Sequence, residues 1–170
     1  CVEGRPCFQD TKAHELIAFG GHWWDRVPGG EMHVREMVKL PLDERSETLR
    51  SLLAVNLDWD VRHVSTGELK RIQLFMKLYD YRPVVLLDEA TADLDIHMRA
   101  ALLHFLYDES EKRGVTVVYT THTFEGLGDW PTDVLFVDRS QRNFIHHEIK
   151  DIVDVEDEGE KLRMFLISTL

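Results

Sequence analysis

The chain has 170 residues, 44% apolar and 30% charged, with a formal net charge of −11. That length fits one domain, or one domain with a small subdomain, and carries a real hydrophobic core. The acidic balance argues against direct nucleic-acid binding, since phosphate backbones reward clustered Lys and Arg, and no run reaches the roughly 18 apolar residues of a membrane span.

Cys1 and Cys7 are the only cysteines. No disulfide framework is expected, so the reducing cytoplasm is the default compartment, with the nucleus also open. There is no basic-then-apolar leader. The first residue is not Met, and the expectation is a chain that starts inside a longer sequence or was processed.

Residues 1–13 are polar and irregular. Leu16–Phe19 is an apolar run stopped by Gly20-Gly21, the pattern of a buried strand entering a loop. That loop, His22 to Gly30, carries Trp23 and Trp24. Glu31–Leu40 is weakly helical. Asp43 is placed to cap a helix from Glu44 to about Val55, with Leu49, Leu52, Leu53 and Val55 on one face. Trp59 is expected to pack. Ser65 or Thr66 caps the next helix, whose Ile72, Leu74, Phe75, Leu78 and Tyr79 recur at helical spacing until Arg82-Pro83.

Val84–Leu87 is a continuous apolar run, as in a central parallel strand covered on both faces. A helix is expected from about Ile96 to Lys112, with Met98, Ala101, Leu102, Phe105 and Leu106 inward and Gly114 as its stop. Val115–Tyr119 is a second buried strand. Phe124–Leu127 suggests a short helix, and Val134–Val137 and Phe144–Ile149 two more strands around a turn at Arg139–Arg142. From Asp151 the tail is acidic, then apolar, as in a solvated linker and a final helix. Alternating strand and helix through the middle predict an α/β fold with a largely parallel sheet.

The stretch Val64–Asp95 concentrates the chemistry. Ser65-Thr66-Gly67-Glu68 opens a helix, where a hydroxyl, an unhindered backbone and first-turn N–H groups can face an anion. Asp88 and Glu89 end an apolar strand, and His122 follows the neighbouring one. In a parallel sheet these tips share an edge, so carboxylates and imidazole can converge on one ligand. His33 with Glu36, and the pair His146-His147, invite a metal reading. Neighbours on a strand point to opposite faces, so that pair is not expected to chelate.

In order and spacing these parts resemble the ATP-binding-cassette (ABC) ATPases. Val64–Glu68 looks like the signature motif, with Val for the usual Leu and Thr-Gly-Glu for Gly-Gly-Gln. Val84–Glu89 looks like the Walker B strand, Thr91–Asp95 like the D-loop, and Thr121-His122 like the switch histidine. The flanks Gly20–Trp23, Leu57–His63 and His122–Pro131 resemble the non-transporter ABC ATPases of the plant I class. The fungal counterpart of that class is linked to the mRNA deadenylase and transcription complex.

The resemblance implies a partial P-loop NTPase-like α/β core with an inserted α-helical signature subdomain. Residues 1–30 would hold a core strand and a Q-loop-like region, 31–81 the helical subdomain, 82–149 the rest of the core, and 150–170 a linker and helix. ATP and Mg2+ are the implied cofactors. Asp88 would hold magnesium through water, Glu89 would be the general base, and His122 would contact the γ-phosphate. Ser65, Thr66, Gly67 and Glu68 would face ATP held by a second cassette, and Asp95 would signal across that dimer.

No Gln stands near Gly21-His22, and no G-x-x-x-x-G-K-[ST] occurs anywhere in the chain. The main phosphate cradle is therefore missing, and this chain alone is expected to be inactive. Two other readings stay open: a degenerate cassette that docks onto a protein partner, and the ATP-binding subunit of a transporter.

Overall fold

The computed structural model describes residues 15–21, 31–121, 127, 131–138 and 143–148. The chain divides into two units, Cys1–Thr120 and Thr121–Leu170. The first contains β1 (Ile17–Gly20), α1 (Val34–Met37), α2 (Glu44–Leu52), α3 (Thr66–Leu78), β2 (Val84–Asp88), α4 (Ile96–Arg113) and β3 (Thr116–Thr120). The second contains β4 (Asp133–Asp138) and β5 (Asn143–Glu148), an antiparallel pair in which Leu135 faces His146.

The first three strands form a parallel sheet in the order β1-β2-β3. Its register aligns Ala18 with Val85 and Val117, and Phe19 with Leu86 and Val118. All three strands therefore end on one edge, at Gly20, Asp88 and Thr120. Helices α3 and α4 pack against β1 and β3, and burial follows the side-chain alternation. Ala18, Val85 and Leu87 are buried, while Phe19 and Val118 are 45% and 47% exposed. On β2 itself Val85 and Leu87 are buried and Val84 and Leu86 half-buried, so the expected coverage is full on one face and partial on the other.

The helices depart from expectation where backbone contacts override pattern. The helix expected over Glu31–Leu40 is the single turn α1. Its first amides are taken by the neighbouring segment, Val34 N–H by Trp59 O at 3.1 Å and Arg35 N–H by Leu57 O at 2.9 Å, and Val38 is already extended. Helix α2 starts on its Asp43 cap, which accepts from Ser46 N–H at 2.7 Å. The Ser46 hydroxyl and N–H hold the Asp43 carboxyl below the usual carboxylate range. The helix ends at Leu52 because Ala54 turns left-handed, with φ 48°.

Trp59 is half-buried, with the Arg71 guanidinium 5.3 Å from its ring centroid. In α4 the inward face is Leu102, Leu103, Phe105 and Leu106; Ala101, expected inward, is exposed. Gly114 ends α4 with φ 67°, a left-handed cap that glycine adopts without a Cβ clash. Expectations for residues 1–13, His22–Gly30, Phe124–Gly126, Trp130, Arg139–Arg142 and the tail from Asp151 lie outside the described residues. Among the described residues no helix is long and apolar enough to cross a membrane.

One buried arginine joins the helices. Arg45, in the first turn of α2, donates through Nε to Glu109 Oε2 of α4 at 2.6 Å. Its Nη1 donates to the α3-terminal carbonyls of Leu78 and Tyr79, at 2.8 and 3.0 Å. The guanidinium also lies 5.3 Å from the Phe105 ring centroid. Both side chains of the pair are 6% exposed. Removing one partner from such a pair leaves an uncompensated charge in the core. Glu109→Ala is expected to lower stability by about 3–5 kcal/mol in urea unfolding. The double replacement Arg45→Met/Glu109→Leu is expected to recover at least half of that loss. An equal loss in both variants would rule out the stranded charge as its source.

Candidate functional site

The edge where β1, β2 and β3 end gathers the acidic residues. Asp88, the last residue of β2, is exposed and accepts a hydrogen bond from the Thr120 hydroxyl at the tip of β3. Glu89 follows in the left-handed region, with φ 49°. A branched-free but bulky residue there carries about 1 kcal/mol or more of backbone strain. The strain is held by the sheet, since Glu89 N–H donates to Thr120 O at 3.0 Å. Beyond it Ala90 is fully buried and Thr91 nearly so. The Thr91 and Tyr119 hydroxyls hydrogen-bond to each other, and Leu94 N–H donates to Thr91 O at 3.1 Å.

Asp95 closes this turn as the N-cap of α4, accepting from His97 and Met98 N–H groups at 3.0 and 2.9 Å. Its carboxylate is therefore spent on the helix end. The turn fixes where α4 begins, and α4 returns the chain to β3.

The second cluster opens α3. Ser65 is the cap and Thr66 the first helical residue. Ser65 Oγ accepts from Glu68 N–H at 3.3 Å, while the Ser65 N–H and hydroxyl both donate to Glu68 Oε2 at 2.8 Å. This closed capping box satisfies two orphan donors at once. The Ser65 N–H first, then its hydroxyl, hold the Glu68 carboxyl below the usual range. Gly67 has a different environment: a Cβ added there would meet nothing within 4 Å. No neighbour among the described residues requires glycine at this position.

Lys70 connects the two clusters. It lies one turn into α3, is 7% exposed, and its ammonium is 4.0 Å from Asp93 Oδ2 in the turn after β2. Burial pushes its pKa down, opposed by the charges of Asp93, then Asp88 and Glu89. The structure thus brings Asp88, Glu89 and the start of α3 toward one edge. His122 lies outside the described residues. Sequence reasoning passed over Lys70 and Thr120. A cation breaking the apolar stripe of α3 was the available signal for the first; the second sits at the strand tip already singled out.

The donor chemistry suits a hard cation that arrives with its own oxygen ligands. Magnesium takes one or two carboxylates and completes its shell with water and phosphate oxygens, and Asp88 is an exposed carboxylate at the right edge. Among the described residues no group of three or more His, Cys, Asp or Glu forms a self-sufficient metal cage. His146 instead pairs with Asp133 across the β4–β5 hairpin, Nε2 to Oδ1 at 2.7 Å.

Known proteins resemble this chain in sequence and in fold. The family model described as "AAA domain, putative AbiEii toxin, Type IV TA system" matches residues 38–123. ABC transporter I family member 20 of Arabidopsis thaliana is 36% identical, over 80% of this chain and 46% of its own length. Family member 21 of the same plant is 41% identical, over 89% and 59%. CCR4-associated factor 16 of Saccharomyces cerevisiae is 46% identical, over 78% and 48%. The chain spans about half the length of these curated relatives.

Among solved structures, an ATP-binding subunit of an ABC transporter superposes with a TM-score of 0.72 at 18% identity, over 96% of this chain and 73% of that one. A dimeric ATP-binding cassette bound to ADP and Pi superposes with a TM-score of 0.58 at 19% identity, over 74% and 62%. With its parallel sheet, its carboxylate-tipped β2 and these relatives, the chain belongs to the ABC-type ATPases and has their P-loop NTPase-like α/β fold.

Proposed function

We propose that this chain supplies two half-sites of an ATP hydrolase that works as a head-to-tail pair of cassettes, outside any transporter. The observation that carries this reading is Glu89. A glutamate held at φ 49° beside Asp88, on the edge where parallel strands end, is a costly backbone conformation. Such strain recurs where a side chain must be aimed.

In this reading Asp88 holds magnesium, which when bound neutralises charge on the transferring phosphate. Glu89 accepts the proton of the attacking water, and His122 contacts the γ-phosphate. The start of α3 serves the nucleotide of the second cassette. Gly67 supports that assignment, because the open space at its Cβ leaves room for a ligand from outside the chain. Ser65, Thr66 and Glu68 shape the same turn. Asp95 acts through the turn it caps. The helical segment 31–81 is the signature subdomain, and 82–149 continues the core. The yeast relative, CCR4-associated factor 16, is by its name associated with another protein, which supports a protein complex as this chain's setting.

The sequence contains no phosphate loop with its lysine. A calorimetric ATP titration of this chain alone is expected to show no micromolar binding, and a micromolar dissociation constant would overturn the inactive-fragment reading. Hydrolysis is therefore tested in a chimera joining this chain to the first half of an ABC cassette that carries the loop. There Glu89→Gln is expected to slow turnover at least about 100-fold and to accumulate an ATP-bound dimer on size exclusion. Unchanged steady-state turnover would remove Glu89 as base. Gly67→Ala separates fold from function. In the first turn of α3 it should leave stability unchanged or raise it by up to about 1 kcal/mol, yet abolish the trapped dimer. A normal dimer with Ala at this position would sink the trans contact.

A further inference from the structure

Lysine is seldom buried unless paired. Lys70 is buried, and its place in the fold is specific. It lies at i+3 from Gly67 and i+4 from Thr66, so it shares their side of α3. Its ammonium faces Asp93 at 4.0 Å, and Asp93 is otherwise a solvent-facing residue, 65% exposed at its side chain. The same ammonium feels the carboxylates of Asp88 and Glu89.

The turn that carries Asp93 is pinned on its other flank to β3 through the Thr91 and Tyr119 hydroxyls. It is continuous with strained Glu89 on one side and with the Asp95 cap of α4 on the other. A tie from α3 to this turn therefore constrains everything between Asp88 and the start of α4. Met would fill the space of the lysine stem equally well, so packing alone does not account for a charged group here.

We propose that Lys70 is a positioning residue that couples the opening turn of α3 to the Asp88–Glu89 tip by anchoring Asp93. The functional value of this coupling rests on the reading of the two clusters as nucleotide half-sites; the tie itself does not. A shift at the start of α3 is transmitted to the turn, and through it to the backbone of Glu89. Each half-site then senses the state of the other within one chain.

The tie is measurable without nucleotide, by amide hydrogen exchange of this chain. Lys70→Met is expected to speed exchange of the Leu94 amide and its neighbours in Ala92–Asp95 about fivefold, the loss of one partly buried ion pair. Lys70→Arg should restore the wild-type rates. Asp93→Asn should reproduce the acceleration, and Lys70→Met/Asp93→Asn should exceed neither single variant. No acceleration in Lys70→Met, no rescue by Arg, or additive effects in the double variant would each overturn the proposal. If Lys70→Met fails to fold, the exposed Asp93→Asn still decides it, because unchanged turn exchange there means that Asp93 anchors nothing. Normal coupling alongside unaffected chimera turnover in Glu89→Gln would keep the tie and discard the nucleotide reading instead.

Discussion

The first unit depends on the guanidinium of Arg45. A charge in the core survives only where its donors are spoken for. Here Nε meets Glu109 and Nη1 meets the carbonyls of Leu78 and Tyr79. Those carbonyls belong to the unsatisfied C-terminal end of α3, so one side chain of α2 closes α3 and binds it to α4. Ser46 lies at the same end, its hydroxyl oxygen 2.9 Å from Tyr79 O with its one proton shared between that carbonyl and Asp43. Around this polar node the apolar side chains Leu49, Leu74, Phe75, Leu78, Leu102 and Leu106 are all at most 1% exposed. The node sets the direction of α3, and with it where Ser65 and Lys70 come to lie.

The sheet imposes a complementary constraint. Parallel pairing in register brings the ends of β1, β2 and β3 to the same level, so a carboxylate on β2 necessarily meets a side chain on β3. Thr120 fills that place for Asp88. The following residue must leave the sheet sharply, and Glu89 does so through a left-handed conformation that its own backbone disfavours. The sheet, the Thr91–Tyr119 contact and the buried Ala90 hold it there. A rigid frame with one strained residue at its rim is the arrangement expected of a site whose geometry matters more than its local stability.

How far all this was legible depended on the range of the interactions involved. The Ser65 and Asp43 caps, the Gly114 stop and the apolar run of β2 are local signals, and the structure has each of them within a residue or two. The order of motifs through Val64–Asp95 was legible for the same reason. Arg45 with Glu109 was not, since the partners are 64 positions apart and both residue types normally face water. The exchange of Ala101 for Leu103 on the inner face of α4 reflects packing against α2 and β3 rather than spacing. The positive φ of Glu89 had no glycine or asparagine to announce it. The burial of Lys70 and its partner across the turn belong to tertiary structure.

The opening turn of α3 ends up divided between two neighbours. Its third N–H is taken by Ser65 Oγ, and the Ser65 donors are taken by Glu68. The N–H groups of Thr66 and Gly67 are first-turn donors with no intrahelical acceptor, and a Cβ at Gly67 would meet nothing within 4 Å. An end of this kind attracts negative charge in general. Glu68 works against it. A carboxylate in the first turn stabilises the helix end by answering its positive pole, and in doing so it sets a full negative charge beside that pole. A neutral glutamine could close the same box without that charge. Arg71 stands 3.9 Å from Glu68 Oε1 and offsets part of the charge. The same residue that makes α3 begin cleanly at Thr66 therefore takes up part of the positive pole of its end.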